Sequence, residues 1–86
     1  MTTEKKLTSL AECSHGDCFV IKELNIEGTL RRRLLDLGFV KGAEVVVLHK
    51  SPLGDPVAYR VSNTTIALRN DESSNIFGEI VRGDLK

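Results

Sequence analysis

The alternation of apolar and polar residues predicts five short β-strands. It is clearest where Val57, Tyr59 and Val61 fall on one face of an extended segment, with Arg60 on the other. β-Branched or other apolar residues dominate the remaining segments, which is typical of strands. Turn-forming residues at 62–64 join two of the strands into a hairpin. The predicted strands cover residues 18–24, 43–50, 57–61, 65–69 and 76–82.

A different period appears between the first and second predicted strands. Leu30, Leu34 and Leu37 follow an i, i+4, i+7 spacing, which places their side chains on one stripe of an α-helix of about three turns. Asn25 and Thr29 are both suitable N-caps, so the pattern leaves two starts open for this helix. The basic residues 31–33 fall inside it, and a solvated face is their simplest interpretation.

Glycines indicate where this helix ends and where the next strand begins. Gly38 stands where a left-handed residue commonly terminates a helix, and this arrangement would pack Phe39 against Leu34. Gly42, four residues later, suits the third position of a type II turn over residues 40–43. One short stretch therefore predicts the helix, its end and the turn into the following strand.

These elements predict a mainly β fold with one short α-helix. About five antiparallel strands, a helix between the first two and a helical turn at 70–74 before the last favour a small SH3-like barrel. Gly78 predicts a bulge or a close backbone approach in the last strand. Alternation places His49 on the same strand face as Val45 and Val47. The domain is predicted to cover residues 10–82, with a disordered tail at 1–9 and a short tail at 83–86.

Length and charge narrow the class of protein. The 86 residues suffice for one domain with one core. Twelve basic and 12 acidic side chains give a formal net charge of zero, which offers no overall attraction to phosphate or to an anionic membrane. No apolar run approaches the roughly 20 residues of a spanning helix, and the first residues lack the apolar segment of a signal peptide. The sequence therefore predicts a cytoplasmic protein without membrane insertion, whose two cysteines stay reduced.

One short segment combines several metal-binding residue types. Cys13, His15, Asp17 and Cys18 lie close together, but their spacing is not that of a closed metal site. A turn with incidental thiols is the preferred interpretation, and metal binding by Cys13, His15 and Cys18 stays a minor alternative. The sequence contains no phosphate-binding glycine loop, paired helical histidines or serine elbow. It is therefore predicted to be non-enzymatic and to need no cofactor.

Three sequence blocks resemble the FeoA family, small cytoplasmic accessory proteins of bacterial ferrous iron transport. The blocks are Arg-Leu-Leu-Asp-Leu-Gly-Phe-Val-Lys-Gly at 33–42, Ser-Pro-Leu-Gly-Asp-Pro at 51–56 and Ile-Ala-Leu-Arg at 66–69. Their order and spacing are similar to those of the family, and the resemblance covers residues 10–81. Lys41 departs from the proline, and Ser73 from the alanine, that the family often has. The structural positions of the motif are Leu34, Leu37, Gly38, Phe39, Gly42, Pro52, Pro56, Leu68 and Arg69.

The resemblance implies an SH3-like module that binds a membrane ferrous iron transporter with a cytoplasmic GTPase domain. Four residues are candidate contacts with that partner: Arg33, Leu35, Leu53 and Asp55. Leu35 lies off the apolar stripe, and Leu53 occupies a proline-flanked loop. A nucleic-acid-binding SH3-like module is an alternative of another class, against which the zero net charge and single tyrosine argue. Self-association, and whether the chain activates, inhibits or assembles its partner, stay open.

Overall fold

Antiparallel pairing joins the strands of the described residues into one six-stranded sheet. The structure is a computed structural model and describes residues 7–82. Helix α1 (Gly28–Leu37) connects the second strand to the third, and the one-turn helix α2 (Asn70–Ser73) precedes the last. The predicted mainly β, SH3-like architecture is confirmed, with one strand more than predicted. In the spatial order β1-β6-β2-β3-β4-β5, the strands are β1 (Thr8–Ser9), β2 (Cys18–Leu24), β3 (Glu44–Lys50), β4 (Val57–Val61), β5 (Thr64–Leu68) and β6 (Ile76–Arg82).

The additional strand lies near the N-terminal end of the described chain. Thr8 and Ser9 pair with Gly78 and Phe77 of β6, and a 3₁₀ turn at Leu10–Glu12 follows. The sequence prediction placed residues 8 and 9 in the N-terminal tail, because a two-residue strand is too short to show alternation. The disorder predicted for residues 1–6 and the tail predicted at 83–86 lie outside the described residues.

One face of the sheet and the apolar stripe of α1 share a single core. Val57, Tyr59 and Val61 of β4 are at most 2% exposed, as their alternation predicts. Leu34 is buried, while Leu30 and Leu37 pack against the same core from its edge. Burial of this apolar surface is the main source of stability. The remaining core residues are Leu10, Cys13, Phe19, Ile21, Ile26, Phe39, Val45, Val47, Leu68 and Ile76.

The predicted end of α1 is confirmed. Gly38 has a φ of 111°, in the left-handed region that glycine adopts without steric cost. The N–H groups of Gly38 and Phe39 donate to the carbonyls of Leu35 and Leu34 at 3.1 and 2.9 Å, respectively. This pair of bonds is a Schellman motif, and it directs Phe39 into the core beside Leu34.

The predicted N-cap of α1 is wrong. Glu27, rather than Asn25 or Thr29, precedes the helix, and its side chain makes no capping hydrogen bond. The N–H of Asn25 donates to the carbonyl of Asn75 at 2.8 Å, and Ile26 is buried in the core. The chain therefore continues along the sheet and turns inwards before the helix begins, which local capping preferences do not reveal.

A β-bulge in β3 changes the predicted position of His49. Val47 pairs with Tyr59 and His49 pairs with Ala58, so Leu48 is an extra residue on this strand. The bulge shifts the alternation by one residue. As a result Val47 is buried and His49 is exposed, instead of both sharing the core face.

Gly78 lies where the backbones of β6 and β2 approach closely. A Cβ atom at this position would overlap the carbonyl oxygen of Val20 and lie 3.0 Å from Cε2 of Phe19. Gly78 is paired on both sides, with Ile21 of β2 and Thr8 of β1. The predicted close approach is confirmed, and the β2–β6 ladder is also irregular, with register shifts between residues 18 and 19 and between 21 and 23.

Two tight turns connect α1 to β3 and β4 to β5. Gly42 has a φ of 88°, and the N–H of Ala43 donates to the carbonyl of Val40 at 2.9 Å, as in the predicted type II turn. Ser62 and Asn63 both have positive φ, of 52° and 63°. This is the type I′ geometry that matches the twist of a two-residue hairpin, and it joins β4 to β5.

Candidate partner-binding surface

Helix α1 carries two of the four predicted contact residues. Arg33 is exposed and Leu35 is partly buried. Leu35 lies four residues after Arg31, so these two side chains occupy the same side of the helix. Arg33 lies on another side and lines none of the recesses beside α1. The structure therefore groups Leu35 with Arg31 rather than with Arg33.

Arg31 and Leu35 together line two of these recesses, a smaller one and a larger one. The smaller recess, of about 130 Å³, lies between α1 and the end of β2, where Ile21, Leu24 and Lys41 complete its lining. The larger recess has a volume of about 430 Å³. Together the two recesses form the α1 groove. The larger one is lined by Arg31 and Leu35 with Gly28, Arg32 and Asp36.

The other two predicted contact residues lie in the loop between β3 and β4. Leu53 is 92% exposed, the highest value among the exposed large apolar side chains of residues 7–82. The carboxylate of Asp55 accepts a hydrogen bond from the backbone N–H of Asn70 at 2.9 Å, and the Asn70 side chain donates to the Gly54 carbonyl at 3.4 Å. The loop is therefore tied to the start of α2, and Leu53 is displayed on an anchored backbone.

Backbone hydrogen bonds close the same loop upon itself. The N–H of Ser51 donates to the carbonyl of Pro56 at 3.2 Å, and the N–H of Gly54 donates to the carbonyl of Ser51 at 2.8 Å. Pro52 and Pro56 are both exposed, and the Asp55–Pro56 peptide bond is cis. The prolines thus shape the loop rather than fill the core.

The third matching block leads into α2. Leu68 is buried at the end of β5, and the backbone N–H of Arg69 donates to the Glu72 carboxylate at 3.0 Å. Ser73, which replaces the alanine common in the family, is fully buried, and its hydroxyl donates to the Arg69 carbonyl at 3.4 Å. The serine is therefore tolerated because the helix satisfies its hydroxyl locally.

The predicted contact residues form two separate surfaces. Loop 51–56 joins β3 and β4 at one end of this hairpin. Gly38, where α1 ends, lies at the other end, since a Cβ on Gly38 would be 2.7 Å from Oγ of Ser62. The intervening β3 has seven residues, which corresponds to about 20 Å. One flat contact therefore does not cover Leu35 and Leu53 unless the partner spans that distance.

The residues of the minor metal-site alternative differ in their surroundings. Cys13 is buried, His15 is exposed and Cys18 is partly buried, and the cysteines do not form a disulfide. The carboxylate of Asp17 accepts a hydrogen bond from the N–H of Ser14 at 2.8 Å and thereby closes the turn. Within residues 7–82, no group of three or more His, Cys, Asp or Glu side chains is arranged to hold a metal ion. The segment between Cys13 and Cys18 is thus a closed turn.

The surroundings of Cys13 favour the protonated form of its thiol. Burial, with smaller contributions from the negative charges of Asp17 and Glu12, raises the pKa of the Cys13 thiol from 9.0 to about 12. The reactive thiolate is therefore disfavoured at neutral pH. The thiol instead lies in the core and donates to the carbonyl of Ser9 at 3.8 Å.

The raised pKa of Cys13 predicts a loss of stability in alkaline solution. The unfolded thiol ionises near pH 9.0, whereas the folded one keeps its proton to about pH 12. The folded state therefore binds more protons in this window, and stability falls as the pH rises, by up to about 1.4 kcal/mol per pH unit. Urea unfolding at pH 8 and pH 10 should show this additional loss in the wild type relative to Cys13→Ala. Equal pH dependence in the two proteins would contradict the burial of a neutral thiol.

Of the residues that line the α1 groove, sequence reasoning identified only Leu35 as a candidate contact. Arg31 was interpreted as part of a solvated face, Lys41 only as a departure from proline, and Leu24 only as a strand residue. The i, i+4 relation between Arg31 and Leu35 was available in the sequence. The proximity of Leu24 and Lys41 was not, because it depends on how α1 lies against the end of β2.

The fold is that of a small SH3-like β-barrel module, with a groove beside its helix α1. Within residues 7–82, no helix has the length and apolar character needed to span a bilayer. The FeoA domain family model matches residues 8–80, and the chain belongs to the FeoA family.

Sequence similarity to a described protein agrees with this family assignment. An Fe(2+) transport protein A/Fe(2+) transporter FeoB fusion protein of Porphyromonas gingivalis is 36% identical over 72 residues, which are 84% of this chain. The chain spans only 8% of the length of that fusion protein.

Solved FeoA structures have the same fold. FeoA of Chlorobium tepidum is 36% identical, with a TM-score of 0.83 over 91% of this chain and 74% of that one. FeoA of Stenotrophomonas maltophilia, solved in complex with zinc and described as an SH3 domain protein, is 33% identical. Its TM-score is 0.70 over 84% of this chain and 89% of that one.

Proposed function

We propose that this chain is a non-enzymatic, cytoplasmic accessory protein of bacterial ferrous iron uptake that binds the GTPase part of the ferrous iron transporter. The observation that carries the proposal is the P. gingivalis relative, in which an FeoA-type sequence and a ferrous iron transporter are parts of one polypeptide. Covalent fusion gives two modules a high effective concentration for each other. A separate chain must supply the same association through its own surface.

The surface features support binding rather than chemistry. Leu35 lies in the α1 groove, and Leu53 projects from a loop that Asp55 anchors to α2. An exposed leucine on an ordered backbone contributes apolar contact area without the entropic cost of ordering a loop. Arg33, exposed on α1, is available for an ion pair at the rim. These four residues are the proposed contacts.

Co-purification with the full-length transporter tests the proposal. A tagged wild-type chain is expected to retain the detergent-solubilised transporter in at least one of the GDP, GTP-analogue and nucleotide-free states. Leu35→Asp is expected to reduce retention at least tenfold, because aspartate removes the apolar contact area of Leu35 and its carboxylate would lose hydration when the partner covers the groove. Ala67→Asp, which introduces the same carboxylate at an exposed position of β5, is the control.

Two results would contradict this function. The first is the absence of wild-type association in every nucleotide state. The second is retention of RNA by the wild-type chain that weakens steeply with salt, which would favour the nucleic-acid-binding alternative. Leu53→Ser in the same assay separates the contribution of the loop from that of the groove.

A further inference from the structure

We propose that the α1 groove binds an acidic segment of the partner that contains a bulky aliphatic residue, with Arg31 and Lys41 pairing with its carboxylates. The inference rests on the proposed function and names the surface and the partner chemistry that would carry it. It assigns roles to Arg31, Lys41 and Leu24, none of which belongs to the four contacts predicted from sequence.

The floor of the smaller recess is apolar. Ile21 is fully buried, and Leu24 and Leu35 are partly buried and line the recess. Its volume of about 130 Å³ corresponds to roughly four water molecules, which is far below the 300 Å³ or more typical of small-molecule pockets. The recess therefore fits one aliphatic side chain rather than a cofactor or metabolite.

The rim of the groove is cationic. Arg31 and Lys41 line the apolar recess, and Arg32 lines the larger one with Asp36 as the single acidic residue. The three cations are exposed, and none of them forms an ion pair or hydrogen bond with another described residue. In a chain whose formal net charge is zero, the groove thus concentrates an excess of positive charge.

This combination selects the class of partner. A cationic rim around an apolar recess is complementary to a leucine or isoleucine flanked by aspartate or glutamate. Nucleic acid would leave the aliphatic recess unfilled. An anionic lipid surface would meet the cations, but a recess that admits one side chain is concave, whereas a membrane face is flat or convex. A protein segment satisfies both features.

Charge reversal in the groove tests the assignment in the transporter assay. Arg31→Glu with Lys41→Glu is expected to reduce co-purification at least tenfold, and raising the salt concentration should weaken the wild-type interaction. Arg60→Glu with Lys50→Glu is the matched control, since both residues are exposed on the sheet and the change in charge is identical. If the two double variants retain the transporter equally well, the groove is not the contact surface, although the proposal that the chain binds the transporter still holds.

A synthetic peptide tests the groove independently of the transporter. The capped peptide Asp-Glu-Leu-Leu-Glu-Asp, titrated into ¹⁵N-labelled protein, is expected to shift the amide signals of Leu24, Leu35 and Lys41 most. A peptide with serine in place of leucine should bind the wild-type protein at least tenfold more weakly. The groove double variant should bind the original peptide at least tenfold more weakly. Shifts centred elsewhere would overturn the inference, even if the wild type co-purifies with the transporter.

Vesicles of phosphatidylglycerol and phosphatidylethanolamine complete the design. The wild type is expected to bind them no better than the groove double variant does. Groove-dependent vesicle binding without peptide binding would overturn the assignment in favour of a lipid surface. If the wild type binds the peptide in the groove but no transporter, the proposed function fails and the groove chemistry stands.

Discussion

Replacing Gly78 with alanine is expected to lower the free energy of unfolding by about 3 kcal/mol, a large fraction of the stability of a small domain. The added methyl group would overlap the carbonyl oxygen of Val20, a backbone atom, and would contact the ring of Phe19. Neither obstacle can move cheaply, because β2 and β6 are held together by their ladder and Phe19 is fully buried. Urea denaturation followed by circular dichroism measures the loss.

Gly54→Ala is the matched control for this substitution. Gly54 has a φ of 87°, and a Cβ there would meet nothing within 4 Å. Alanine at Gly54 therefore incurs only the left-handed strain of about 1–2 kcal/mol. A Gly78→Ala protein that is as stable as Gly54→Ala, or more stable, would show that β2 and β6 do not approach as closely as described. A Gly78→Ala protein that does not fold at all, while Gly54→Ala does, would instead support the close approach of β2 and β6.

Gly38→Ala is expected to cost about 3 kcal/mol, for two separable reasons. The residue sits at a φ of 111°, which strains any side chain, and its Cβ would lie only 2.7 Å from Oγ of Ser62. Because Gly38 ends α1 and contacts the β4–β5 turn, the substitution should also displace the helix that forms one wall of the α1 groove. Weaker peptide binding by the fraction of Gly38→Ala protein that is folded would show that the helix is displaced.

A double-mutant cycle separates strain from contact at Gly38. Ser62→Gly removes the hydroxyl and also relieves the positive φ of 52° at that residue. In this background, Gly38→Ala should cost only the strain of about 1–2 kcal/mol. An unchanged cost in the Ser62→Gly background would show that the contact between the helix end and the turn contributes nothing.

Local sequence signals were reliable where backbone chemistry decides the outcome. Gly38 was expected to end α1 in the left-handed region, and Gly42 to form a type II turn, because few other residues adopt those conformations. Alternation located β4 to the residue, since its side chains face the core and the solvent in turn. These features depend on the residue itself and on its nearest neighbours along the chain.

Features that depend on distant neighbours were placed incorrectly or missed. The bulge at Leu48 exposes His49 because it shifts the register in which β3 pairs with β4. No residue type within β3 indicates this bulge. Glu27 precedes α1 because Asn25 is still bonded to Asn75 across the sheet. Thr8 and Ser9 form a strand because β6 offers them an edge. In each case a long-range hydrogen bond outweighs a weak local preference.

The candidate site shows the same division. Two of its apolar side chains were recognisable as candidates in the sequence, since the helix period separates Leu35 from the core leucines and the prolines around Leu53 predict a shaped loop. Its geometry was not. Asp55, expected to contact a partner, has one carboxylate oxygen committed to Asn70, a residue 15 positions away. Arg33, expected to accompany Leu35, lies on another side of the helix.

The sequence by itself determined the class of fold, the position and end of α1, the turns that carry glycine, and membership of the FeoA family through its three blocks. Only the tertiary structure decided that Leu35 shares a groove with Leu24, Arg31 and Lys41. The physical reason is that helix period and turn preference act over a few residues, whereas a groove is the space left between elements. That space is set by packing of α1 on the core and by the Gly38 and Gly42 turns that orient it.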